Sequence, residues 1–249
     1  MGTDLISLQL FTVRDAPDAT PTETFARIRE AGYTQVEVYG IVPRFETYRD
    51  GLAASGLTAS AGHSRLVGQD LDEIFGAARE LGITTVYDPF IDSARWTTPE
   101  DVESIAKDLN EIAKKATEYG ITIGYHNHEF EFENRFDGIS AFEYLARHLD
   151  PEVVLELDTY WAVVGGEPDV GALLERLGNR VTALHIKDGP LTKVDEDQVA
   201  VGAGQMDFAP ILSAAPTAQR VVELDGHEGD VFVAITESYR HLAGVGAAA

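Results

Sequence analysis

Four short segments concentrate the side chains that bind cations and move protons: YHNHEFEF (residues 125–132), LELDTYW (155–161), LHIKD (184–188) and VVELDGH (221–227). In a chain without cysteine, carboxylate oxygens and imidazole nitrogens are the strongest donors left for a divalent ion. The same groups exchange protons near neutral pH. One such residue at the end of a strand can be a helix cap, but a series of them is more than capping requires. Glu131, with Glu129 and Glu133 alternating beside it, Asp158, His185 and Glu223 form one candidate set. Three clustered carboxylates repel one another unless a cation neutralises them. Three oxygens and one imidazole nitrogen suit Mn2+, Mg2+, Co2+ or Zn2+, and the missing thiolates weaken any preference for zinc.

Each segment ends a short apolar run, and such runs alternate with longer amphipathic stretches. Strands are expected at 5–10, 35–39, 57–61, 85–89, 121–126, 153–157, 181–186 and 220–224. They are too apolar to be half-exposed strands of an antiparallel sheet. Between them, TPTETFARIREAGY and TTPEDVESIAKDLNEIAKKATEYG each open on Thr-Pro and close near a glycine, Gly32 and Gly120. Gly56, Gly82 and Gly178 end other helical stretches in the same way, as expected where a positive φ stops a helix before the next strand. A chain of 249 residues has room for one large barrel or two small domains. Eight βα units favour the barrel over an open doubly wound sheet. The fold class is therefore α/β, a single (β/α)8 TIM barrel over residues 1–249, with 244–249 a frayed tail. In that architecture the chemistry sits at the C-terminal ends of the strands, where Glu131, Asp158, His185 and Glu223 converge.

Composition narrows the partners. Lys plus Arg number 19 against 42 Asp plus Glu, a formal charge of −23, and such a field repels nucleic acid and anionic membranes. The N-terminus lacks a basic region followed by an apolar stretch, and no window approaches a membrane span. A cytoplasmic protein acting on a small molecule is expected, with a homo-oligomer or a partner subunit compatible with the sequence.

At these residues the chain resembles the sugar phosphate isomerase/epimerase branch of the xylose-isomerase-like barrel superfamily. The resemblance runs through SLQLFTVRD, YHNHEFEF, LDTYW, LHIKD, VGAGQMDF and VVELD, in order along nearly the whole chain. It implies one divalent ion, Mn2+ or Mg2+ before Co2+ or Zn2+, held by Glu131, Asp158, His185 and Glu223. Glu131 is preferred over its neighbours because it occupies the Glu of the family pattern YHNHxFEF. The implied substrate is a monosaccharide or keto-sugar, and no Gly-rich phosphate cradle argues for a phosphorylated one.

A metal on a carbonyl and an adjacent hydroxyl stabilises the enediolate left by deprotonation of the neighbouring carbon. Glu131 and Glu223 are the candidate proton carriers. Return of the proton to the same carbon is epimerisation, and return to its neighbour is aldose–ketose isomerisation. If the β-carbon carries a leaving group, the same site makes a lyase, dehydrating a keto-inositol or expelling an aglycone from a 3-keto-glycoside. A DNA-repair endonuclease needs more ligands and a basic surface, and an accessory sugar-binding subunit predicts a disrupted ligand set. His63, His126, Glu156, Trp161 and Lys187 are candidate substrate contacts. His126 and His128 alternate, so one is expected to face the lumen and the other the helices. Lys187 and Asp188 either orient substrate or pair with each other, and Gln9 and Arg14 are weaker candidates.

Overall fold

In a computed structural model, residues 5–16 and 20–247 are described. The barrel strands are β1 Ile6–Gln9, β2 Gln35–Tyr39, β3 Thr58–His63, β4 Thr85–Asp88, β5 Thr122–His126, β6 Val154–Asp158, β7 Val181–Ile186 and β8 Gln219–Val222. Each pairs in parallel with its neighbours, and β8 pairs with β1 to close the ring. All eight fall on the expected runs, two of them residue for residue.

The intervening helices begin and end as their sequences dictate. Thr20 and Glu23 form a reciprocal capping box at the helix Pro21–Glu30, and Thr98 caps Pro99–Thr117 by accepting from the Asp101 amide, each satisfying a donor left unpaired in the first turn. Gly56 and Gly120 both have a φ of +69° and turn the chain back toward the barrel. The last helix runs Val231–Ala247, so the expected frayed tail is helical through 247, and 248–249 lie outside the described residues. Its start is already a committed helix with apolar Val231, Phe232 and Ile235 on one side, and the small residues that follow continue it. No helix among the described residues is long and apolar enough to cross a membrane.

Strand alternation sorts the interior into layers. Ile6 and Leu8, Val36 and Val38, Leu155 and Leu157, and Leu184 and Ile186 face the helices in one large core. Residues of opposite parity enter the lumen. Ala61, Tyr87, Ala183 and Val221 form a separate apolar cluster there. Further along the same strands come Gln9, Glu37, His63, His126, Glu156, Asp158, His185 and Glu223, all buried. The apolar layer is the floor on which the polar one stands.

Gly124 in β5 admits the Tyr87 ring into the lumen. A Cβ there would lie 2.5 Å from that ring and 2.7 Å from the Val154 carbonyl oxygen of the next strand. Gly124→Ala is therefore expected to destabilise the barrel by about 1–3 kcal/mol, measured by urea denaturation. An unchanged midpoint would show that the floor is not packed this way.

Candidate metal centre and its cavity

Strand ends deliver the donors. Asp158 closes β6, where its Oδ1 caps the next helix by accepting from the Trp161 amide at 2.9 Å. His185 lies in β7 and Glu223 follows β8 directly. Donor atoms of Asp158, His185 and Glu223 lie within 4.8 Å of one another, all buried. His185 Nδ1 meets Glu223 Oε2 at 2.8 Å. The Lys187 ammonium joins the group from the same strand, 2.9 Å from Asp158 Oδ2, 2.8 Å from Glu223 Oε2 and 2.5 Å from Asp225 Oδ2.

The remaining lumen carboxylates bear on the other side of His185. Its Nε2 lies 2.8 Å from Glu37 Oε1 and 3.1 Å from Glu156 Oε2, and Gln9 Nε2 donates to Glu37 Oε1 at 2.7 Å. His63 stacks on His185 with ring centroids 5.2 Å apart, and its Nε2 meets Glu156 Oε2 at 2.6 Å.

The protein's own positive groups answer this charge. Burial opposes protonation of His63, but Glu37 and Glu156 outweigh it and raise its pKa to about 10. The same contest, won by Glu156 and Glu223, holds His185 well above its ordinary value. Burial alone would raise Glu223, yet Lys187 and His185 hold it well below the usual carboxylate range. Asp158 is pushed up to about 6 by burial, against the pull of Lys187.

The donor set fits a divalent ion. Asp158 Oδ2 touches the Lys187 ammonium but accepts no aligned hydrogen bond. Buried carboxylate oxygens left open in this way are what a cation would satisfy.

Glu131 is not brought to this group. β5 ends at His126, and the chain turns into the short helix Phe130–Glu133, which aims Glu131 away from the axis. Its Oε1 accepts from the Tyr125 hydroxyl at 2.6 Å and its Oε2 from the His128 amide at 2.9 Å. Burial pushes its pKa up to about 8. The same turn overrides the expected alternation of His126 and His128: both line the cavity above the metal group. His128 Nδ1 is buried without a partner, and burial, then Lys187, lowers this imidazole to about 4.

That cavity, of about 670 Å³, is lined by Phe11, Tyr39, Pro43 and Phe90 as well as by His63, His126, His128, Glu223 and Asp225. Trp161 is buried at its side, donating from Nε1 to Asp225 Oδ2 at 3.0 Å, 5.5 Å from the Lys187 ammonium. Arg14 donates to the Asp225 carbonyl oxygen at 2.6 Å. Lys187 and Asp188 do not pair. Asp188 instead accepts from the amides of Gly189, Gly202, Gly204 and Met206, tying down the VGAGQM segment beside the site.

Two members of the site escaped the sequence reading. Glu37 was legible as the one charge inside the apolar run QVEVY, a position that strand parity sends into the lumen. Asp225 lies two residues beyond Glu223 in VVELDGH, past the end of β8, where strand parity no longer fixes direction.

A closed parallel barrel with a buried carboxylate–imidazole donor group at the C-terminal ends of its strands defines the class. A family model described as the xylose isomerase-like TIM barrel matches residues 25–219, and the chain belongs to that family. Among solved structures, a sugar phosphate isomerase/epimerase from Parabacteroides distasonis is 24% identical, covering 95% of this chain and 92% of that one at a TM-score of 0.80. The IOLI protein with a bound zinc atom is 16% identical, covering 96% and 97%, with a TM-score of 0.75. A probable 3-DHS dehydratase, AsbF, from Bacillus anthracis is 12% identical, covering 96% and 98%, with a TM-score of 0.73. At these identities the likeness is one of fold. No curated protein matches the sequence.

The raised pKa of Glu131 makes a test of its burial. The folded chain keeps a proton there that the unfolded chain releases above the ordinary carboxylate range. Its contribution to stability is therefore full at acid pH and falls as pH rises toward about 8. Glu131→Gln keeps both contacts, since Tyr125 can accept from the amide while the amide oxygen accepts from His128. Urea midpoints from pH 4 to pH 9 should fall less steeply in the variant than in the wild type; parallel curves would show that Glu131 is ionised when folded.

Proposed function

We propose that the protein is a divalent-metal-dependent isomerase or epimerase that moves a proton on a monosaccharide or keto-sugar. The observation that carries this reading is that Glu223, one member of the buried Asp158–His185–Glu223 group, lines the cavity walled by His63, His126 and His128. Asp158, His185 through Nδ1, and Glu223 would hold the ion, and Mn2+ or Mg2+ suits this oxygen-rich set. When bound, the ion supplies a Lewis acid that polarises a substrate carbonyl.

The chain's own groups do the proton work. Glu223, held ionised by Lys187 and His185, is the base for a carbon-bound proton beside the carbonyl. The sequence assigned the second carrier to Glu131, which does not line the cavity. In this reading the acid that Glu223 becomes returns the proton to carbon, and His128, neutral near pH 7 and lining the cavity, takes the substrate's hydroxyl proton and passes it to the neighbouring oxygen. Positioned acids and bases of this kind contribute roughly 10²- to 10⁴-fold in rate. His63 donates to substrate hydroxyls, and Lys187 keeps the carboxylates in register. The charge of −23 supports an uncharged sugar over a polyanion.

A second reading, a lyase that expels water or an aglycone from a keto-inositol or 3-keto-glycoside, is favoured by the apolar wall of Phe11, Tyr39, Pro43 and Phe90. That wall suits a group larger and less polar than one sugar ring.

Incubation of the Mn2+-loaded protein in D2O with ketoses, aldoses, inososes and 3-keto-glycosides, followed by NMR, separates the readings. Deuterium entering one carbon without loss of any group is the expected result, and release of water or an aglycone would establish the lyase. Glu223→Gln should lose turnover at least about 10²-fold with its circular dichroism intact, and His128→Gln should slow exchange without releasing the metal. A fully active Glu223→Gln protein would overturn the assignment.

A further inference from the structure

The lumen holds a second donor set beside the first, sharing His185 with it. His63, His126, Glu156 and His185 each present a donor atom within 4.8 Å of the others, and all four are buried. Three imidazole nitrogens surround a single oxygen, Glu156 Oε2: His63 Nε2 at 2.6 Å, His126 Nδ1 at 3.1 Å and His185 Nε2 at 3.1 Å. Glu37 completes the group, its Oε1 lying 3.1 Å from His63 Nε2. Glu156 Oε1 and Glu37 Oε2 are buried with no partner.

Charge argues for an occupant. Lys187 and a divalent ion at Asp158, His185 and Glu223 together offset Asp158, Glu223 and Asp225. They leave Glu37 and Glu156 as adjacent buried anions. His63 Nε2, 2.6 Å from Glu156 Oε2 and 3.1 Å from Glu37 Oε1, answers one of them when protonated. The other negative charge stays uncompensated, which at that depth is costly.

We propose that His63 Nε2, His126 Nδ1, Glu156 and Glu37 form a second cation site, with the His185 ring as the wall between the two sites. Two imidazoles and two carboxylates favour a nitrogen-accepting ion, Zn2+ or Co2+, over Mg2+. The first site, by contrast, offers one nitrogen and two carboxylates. The inference rests on the reading of the first site only for the charge that site's ion supplies.

Cobalt reports both sites without any substrate. The chelator-stripped protein is titrated with CoCl2, following visible absorption and bound metal per chain. Two tight equivalents are expected. Glu223→Gln should remove one of them, and His126→Ala or Glu156→Gln should remove the other, each variant first shown to be folded by circular dichroism. With excess Mg2+ present, the wild-type protein should still take up one Co2+. A single wild-type equivalent that is lost in Glu223→Gln would overturn the second site and leave the first standing. A single equivalent that survives Glu223→Gln and is lost in His126→Ala would support the second site and sink the first. A second equivalent that persists in both His126→Ala and Glu156→Gln would place that ion elsewhere and overturn the proposal.

Discussion

Glu37, Glu156, Asp158, Glu223 and Asp225 crowd one end of a barrel lumen around a single lysine. Burying carboxylates costs several kcal/mol each after relaxation unless charge and hydrogen bonds compensate, so the lumen is stable only if further positive charge is supplied. Lys187 answers the carboxylates nearest the strand ends, and His63 and His185 answer the deeper pair when protonated. A divalent ion held by Nδ1 would replace the proton that His185 presents to Glu223 Oε2. Metal affinity and the protonation of His185 would therefore be linked.

The rest of the fold serves to hold that charge in place. The apolar floor of Ala61, Tyr87, Ala183 and Val221 keeps water from screening the carboxylates from below, and Gly124 makes room for the floor's largest ring. Strand parity places Glu156 and Asp158 on the same side of β6, with Leu157 turned to the helices. Asp188 gathers the amides of the following loop, so the segment after β7 closes beside the site without drawing on Lys187.

The sequence made the barrel legible because each strand is an apolar run flanked by capping residues and a glycine stop, and local chemistry decides all three. Asp158, His185 and Glu223 were legible for the same reason: they end strands whose direction is fixed by the barrel. Glu131 was not, because the parity argument stops where the strand stops. Beyond His126 a turn and a four-residue helix set the direction, and the Tyr125 hydroxyl and His128 amide capture the carboxylate. The family pattern names Glu131 as a ligand, and this turn places its carboxylate on the Tyr125 hydroxyl and the His128 amide. His63, His126 and Glu156 entered the reading as substrate contacts; their mutual approach depends on four strands meeting in space, which spacing along the chain does not encode.

The central claim is that one divalent ion sits between Asp158, His185 and Glu223. Crystals grown with Mn2+ and measured at the manganese absorption edge test it directly. The account predicts an anomalous peak bonded to His185 Nδ1 and to oxygens of Asp158 and Glu223, at about 2.0–2.3 Å, with Glu131 still on Tyr125. A peak bonded to Glu131, or none at these three residues, would contradict it.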